Sequence, residues 1–130
     1  MSAGFRSNGA FGGFSVRDTD AAARFYRDVL GLEVSEESMG ILRIGLGGEA
    51  FVIAYPKPNH TPATFTILNF PVDDVEAAVD DLVSQGIEMQ RYEGMSQDDK
   101  GIMRGEGPEI AWFLDPSDNV LAVLEDDQPQ

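Results

Sequence analysis

The chain has 130 residues, 42% of them hydrophobic, which suffices for one shared core but is marginal for two independent ones. It contains no cysteine, which excludes disulfides, thiol nucleophiles and thiolate metal sites. Its formal net charge of −14, from 23 acidic and nine basic residues, disfavours nucleic acid and anionic membranes as partners and would draw cations to an acidic-walled cleft.

Residues 1–10 are small and polar and read as a loose leader. No signal-peptide pattern or long apolar run is present, so a cytoplasmic location is expected. Phe11 to Val16 reads as a strand. Asp18 caps a helix from Thr19 to Leu30, closed by Gly31, with Ala22, Phe25, Tyr26, Val29 and Leu30 on its apolar face. Extended segments come next at Leu32 to Ser35, Gly40 to Gly45 and Ala50 to Tyr55, with Gly47-Gly48 as a hairpin signal between the last two. The connector Pro56-Lys57-Pro58-Asn59-His60-Thr61-Pro62 is broken by its prolines.

Thr64 to Val72 reads as the next strand. Asp74 caps a helix whose apolar face is Val75, Ala78, Val79, Leu82 and Val83, and Gly86 ends it. Ile87 to Tyr92, Ile110 to Leu114 and Val120 to Leu124 complete the strands, the last preceded by the turn Asp115-Pro116-Ser117-Asp118-Asn119. Glu93 to Gly107 is a long polar loop, either a lid or an ordinary solvated loop. Acidic pairs such as Asp73-Asp74 and Asp80-Asp81 fit a solvated surface.

The chain also repeats itself. Val16-Arg17-Asp18-Thr19-Asp20-Ala21-Ala22 returns 56 residues later as Val72-Asp73-Asp74-Val75-Glu76-Ala77-Ala78, and Gly31-Leu32-Glu33-Val34 returns as Gly86-Ile87-Glu88-Met89. The expected fold is therefore α+β, two tandem βαβββ modules forming one domain with a curled, half-barrel mixed sheet. Module one covers about 11–55, the connector 56–63 and module two about 64–125, with an acidic tail at 126–130.

This order, with the phrases Phe25-Tyr26-Arg27-Asp28-Val29-Leu30-Gly31-Leu32 and Asp115-Pro116-Ser117-Asp118-Asn119-Val120-Leu121, resembles the vicinal oxygen chelate superfamily of glyoxalases, extradiol dioxygenases and bleomycin-resistance proteins. The resemblance implies a divalent metal held from the first and last strands of each module. The matching positions are Phe11, Val52, Ile67 and Ala122, none of which can coordinate a metal. The single His lies in the connector. Metal-dependent chemistry is disfavoured, and neither a metal nor any other cofactor is expected.

The resemblance also implies a cleft, lined here by Phe11, Gly13, Val52, Ala54, Ile67, Asn69, Val120, Ala122 and Leu124, unless these side chains fill a closed core. Asn69 is either a ligand contact or a partner for backbone at a bulge before Pro71. Trp112 is either a stacking wall or core. Arg91, just before the long loop, and Met103, within it, are either ligand contacts or parts of an ordinary solvated loop, while His60, Tyr55 and Arg104 are weak catalytic candidates. Three functions remain open. The first is a metal-free binder of an aromatic or cationic compound, like the bleomycin-resistance branch. The second is a metal-independent enzyme acting on a small carbonyl compound, and the third a degenerate dimerisation module. The resemblance further implies a homodimer.

Overall fold

The structure is a computed structural model that describes residues 4–105 and 107–126. The expected acidic tail, Asp126 apart, and the first three residues of the expected leader lie outside that description. Two compact units form, one ending at Pro58 and the other beginning at Asn59, within the expected connector.

The first unit contains β1 (Gly12–Val16), α1 (Thr19–Arg24), β2 (Val34–Glu36), β3 (Leu42–Gly47) and β4 (Ala50–Pro56). Asp18 caps α1 by accepting from the amides of Asp20 at 2.9 Å and Ala21 at 3.2 Å. The helix expected to run regularly to Leu30 instead widens after Arg24 into a π turn, Phe25–Val29, in which the Leu30 amide donates to the Phe25 carbonyl at 3.2 Å. The extra residue in that turn rotates its C-terminal end away from the core, so Phe25 and Tyr26 are buried while Val29 and Leu30 are only half-buried. Gly31, at φ 72°, then ends the segment, where a side chain would be strained.

The sheet order is β1-β4-β3-β2, with β1 parallel to β4 and the other pairs antiparallel. Val16, Leu42, Ile44, Val52 and Ala54 share one face and are buried. Phe14 lies on that same face and meets the Tyr26 ring at 5.9 Å, which identifies it as the helix side.

The second unit contains β5 (Thr66–Val72), α2 (Val75–Ser84), β6 (Ile110–Leu114) and β7 (Val120–Glu125), in the order β5-β7-β6. β5 runs parallel to β7, as β1 does to β4. Asp74 caps α2 by accepting from Ala77 N at 3.1 Å. Val75, Val79 and Leu82 are buried on the helix, while Val83, expected on the apolar face, is 53% exposed.

The strand expected at Ile87 to Tyr92 is reduced to one bridge, between Met89 and Phe113 on the outer edge of β6. The Gln97 side chain is the reason. Its Oε1 accepts from Tyr92 N at 2.8 Å and its Nε2 donates to Gln90 O at 3.0 Å, which takes up backbone groups that a ladder would use. The module plan is therefore shared, with its edge strand shortened in the second copy. Hydrogen bonding makes two open mixed sheets, one per module. Among the described residues no helix is long and apolar enough to cross a membrane.

The turn before β7 is built around a buried carboxylate. Asp115, only 3% exposed, accepts from Ser117 N at 2.8 Å, Asn119 N at 2.9 Å and Asn119 Nδ2 at 3.1 Å. Asp115→Ala would strand these donors, and unfolding in urea should show a loss of about 3 kcal/mol. A loss below about 1 kcal/mol would mean that the carboxylate does not organise the turn.

Candidate functional site

On the face of the first sheet away from α1, alternation places Phe11, Gly13 and Ser15 beside Phe51, Ile53 and Tyr55, with Arg43 and Gly45 beyond them. The Phe11 and Phe51 rings stack, with centroids 4.8 Å apart and planes at 28°. The Arg43 guanidinium lies 3.7 Å from the centre of the Phe51 ring. Ile53 approaches Gly13 so closely that a Cβ there would sit 3.0 Å from Ile53 Cγ1, so glycine lets these two strands meet. A cavity of about 1040 Å³ adjoins this face, lined by Phe51, Arg43, Gly45, Glu33, Ser35, Glu49 and Arg27 among others.

The expected lining is thus displaced by one residue on β4. Val52 and Ala54 belong to the helix side and are buried, and Phe51 is the β4 side chain that meets Phe11. Phe51-Val52-Ile53-Ala54-Tyr55 is apolar throughout, so periodicity could not say which alternate set faced the helix. Phe51 and Arg43 were missed for the same reason, since only the pairing register reveals them.

In the second sheet, Asn69, Ala122 and Trp112 form one row across the three strands, on the face opposite Leu121, Val123 and Phe113. Asn69 is exposed, and among the described residues its amide is given no hydrogen bond, so it is not consumed at a bulge before Pro71. Ala122 is fully buried. Trp112 is 9% exposed, donates from Nε1 to Thr66 Oγ1 at 3.2 Å and meets the Tyr92 ring edge-on at 5.5 Å, leaving little indole free to stack on a ligand. Ile67 falls at a register shift between Thr66 and Leu68, where regular alternation is interrupted.

The positions expected to hold a metal therefore carry aromatic rings and aliphatic side chains. Neither face away from a helix bears a carboxylate, imidazole or thiolate on β1, β4, β5 or β7. Among the described residues no group of three or more His, Asp or Glu side chains is placed to hold a metal ion. The donor set does not fit the metal that the family resemblance implies.

The catalytic candidates are occupied or apart. His60 Nε2 lies 2.9 Å from the carbonyl of Ser117. A carbonyl only accepts, so this nitrogen donates, and the imidazole ties the connector to the Asp115 turn. Tyr55 is 37% exposed at the end of β4, in the other unit. Arg104 is bound through Nε to Asp98 at 2.9 Å, through Nη1 to Glu109 at 2.8 Å and through Nη2 to Glu76 at 3.1 Å.

The long loop is fastened rather than free. Arg91 donates to the carbonyls of Asp98 and Asp99. Lys100 Nζ bridges Glu76 at 3.0 Å and Asp80 at 2.9 Å on α2, hydrogen bonds that raise the lysine above its ordinary range, Asp80 contributing most. Met103 is half-buried and bridged to both Gln97 and Ile110. Desolvation at Asp98 would raise its pKa, but donation from Ile102 N, Arg104 and Lys100 N outweighs it and holds the carboxyl below its ordinary value. Arg91 and Met103 thus secure the loop.

A description of the Glyoxalase/Bleomycin resistance protein/Dioxygenase superfamily matches residues 12–124. The chain belongs to this superfamily. Similar solved structures include a genomically encoded fosfomycin-resistance protein from Listeria monocytogenes, with TM-score 0.71 and 11% identity over 93% of this chain and 94% of that one. A second is an antibiotic-binding protein from a Streptomyces species, with TM-score 0.66 and 20% identity over 93% and 98%. A lactoylglutathione lyase from Agrobacterium tumefaciens aligns with TM-score 0.66 and 21% identity over 92% and 95%. At these identities they share the superfamily fold with this chain and carry no activity over to it. No curated protein sequence matches the chain.

The loop geometry fixes an acid response. The native Asp98 value is depressed, so its stabilising contribution is complete above the ordinary value of 3.8 and lost as pH falls through the native one. In an acid titration tracked by NMR, the Ile102 and Lys100 amide signals should move together with a midpoint below 3.8, and Arg104→Leu should raise that midpoint.

Proposed function

We propose that this superfamily member is a metal-free small-molecule-binding protein that holds an aromatic compound beside the exposed rings of module one. The observation that carries the reading is the Phe11–Phe51 stack, which stands next to a cavity of about 1040 Å³ and sets a ring at Phe11, a position to which the family resemblance assigns a metal donor. Its lining sets the Phe51 ring among the charged side chains of Arg27, Arg43, Glu33 and Glu49, a combination that suits an organic ligand with a flat body and a polar substituent. The similarity to an antibiotic-binding protein accords with binding as an end in itself on this fold. The carbonyl-directed enzyme reading gains no support, because His60 and Arg104 are committed to structural contacts.

The protein would act in the cytoplasm as a C2 homodimer. Sedimentation should give twice the 14.1 kDa chain mass, and a monomer at all concentrations would exclude the dimer. For the ligand, Phe11→Ala should weaken binding of a naphthalene-based probe by roughly two- to tenfold, the usual worth of an aromatic contact. Protein supplied with zinc, nickel, manganese or iron and then dialysed should retain none. Near-stoichiometric metal, or probe affinity unchanged by Phe11→Ala, would overturn the reading.

A further inference from the structure

We propose that the module-one cavity selects planar aromatic compounds carrying a single anionic group, and that Arg43 is the side chain that reads the anion. This rests on the aromatic-binding role proposed above and names the class of ligand.

Arg43 lies on β3, opposite Ile53 of β4, on the face away from α1. Its guanidinium is 3.7 Å from the Phe51 ring centre, while the Phe11 ring stacks on the same phenyl group with centroids 4.8 Å apart. Two groups that close cannot share one side of a ring, so Phe51 lies between Phe11 and Arg43. The ring contact restrains the guanidinium without using its N–H donors.

Among the described residues Arg43 forms no hydrogen bond or ion pair beyond its contact with the ring. The cations of the long loop behave differently, since Arg91, Lys100 and Arg104 are all bound to carbonyls or carboxylates. Arg43 is therefore held by an aromatic ring, with its forked donors available to a carboxylate in the adjoining cavity.

The net charge of −14 points the other way, toward cations. It acts at long range, however, and is screened over about 8 Å at physiological ionic strength, whereas a ligand in the cavity touches the arginine directly. Glu33 and Glu49 line the same cavity and would repel a second anionic group. One acid on a flat apolar body meets all of these conditions.

The test is calorimetric titration of the full chain with naphthoate, naphthamide and naphthylmethylamine, which share a ring system and differ in charge. Naphthoate should bind roughly 10- to 100-fold more tightly than the amide, as a charge-assisted pair implies. Arg43→Gln should abolish that preference, so that acid and amide bind within about twofold of each other, and Arg43→Lys should restore only part of it. Because Arg43 is exposed, both variants should keep the native amide NMR spectrum. Equal binding of acid and amide, tighter binding of the amine, or a preference that survives Arg43→Gln would overturn the proposal and leave the aromatic-binding role intact. Failure of all three probes to saturate would overturn both.

Discussion

Each module depends on its first strand closing in parallel onto its last. β1 pairs with β4 and β5 with β7, and everything between must cross over and return. The crossover begins with a helix that covers one face of the sheet and leaves the other without one. The two faces are thereby subject to different constraints. Hydrocarbon such as Val52, Ala54 and Ile44 is required against α1, while Phe11, Phe51 and Arg43 on the opposite side are free to vary with chemistry.

This division explains how the superfamily scaffold tolerates the loss of metal donors. Strand pairing needs backbone groups and the helix side needs volume, and neither needs a metal. Of the positions that the resemblance assigns to a metal, Phe11 and Ala122 lie on uncovered faces, and hydrocarbon there leaves the strand pairing undisturbed.

Local chemistry made much of the fold legible. Asp18 and Asp74 mark helix starts because a carboxylate there satisfies orphan amides, Gly31 marks a stop because its φ is positive, and the Asp115 turn carries its own acceptor. Registers and remote contacts were not legible. The β4 face could not be assigned from an unbroken apolar run, and the strand at Ile87 to Tyr92 was pre-empted by the amide of Gln97. Glu76 lies 24 residues from Lys100 and 28 from Arg104, so the anchoring of the loop leaves no trace in any short window. The candidate site was half visible for the same reason: Phe11 could be named, whereas Arg43 and Phe51 emerged only once strands were paired.

The fastened loop has a second consequence. With its neighbouring strand cut to one bridge, β6 would present a row of unpaired backbone groups, a template for another chain. Gln90 N donates to Trp112 O at 2.8 Å, and Met103 and Ile110 exchange hydrogen bonds at 2.9 and 3.3 Å, so the loop itself occupies that border. The ion pairs from Lys100 and Arg104 to α2 hold this cover in place. They therefore act as protection against strand-to-strand aggregation, a role in which weak surface charges matter for colloidal behaviour more than for folding energy.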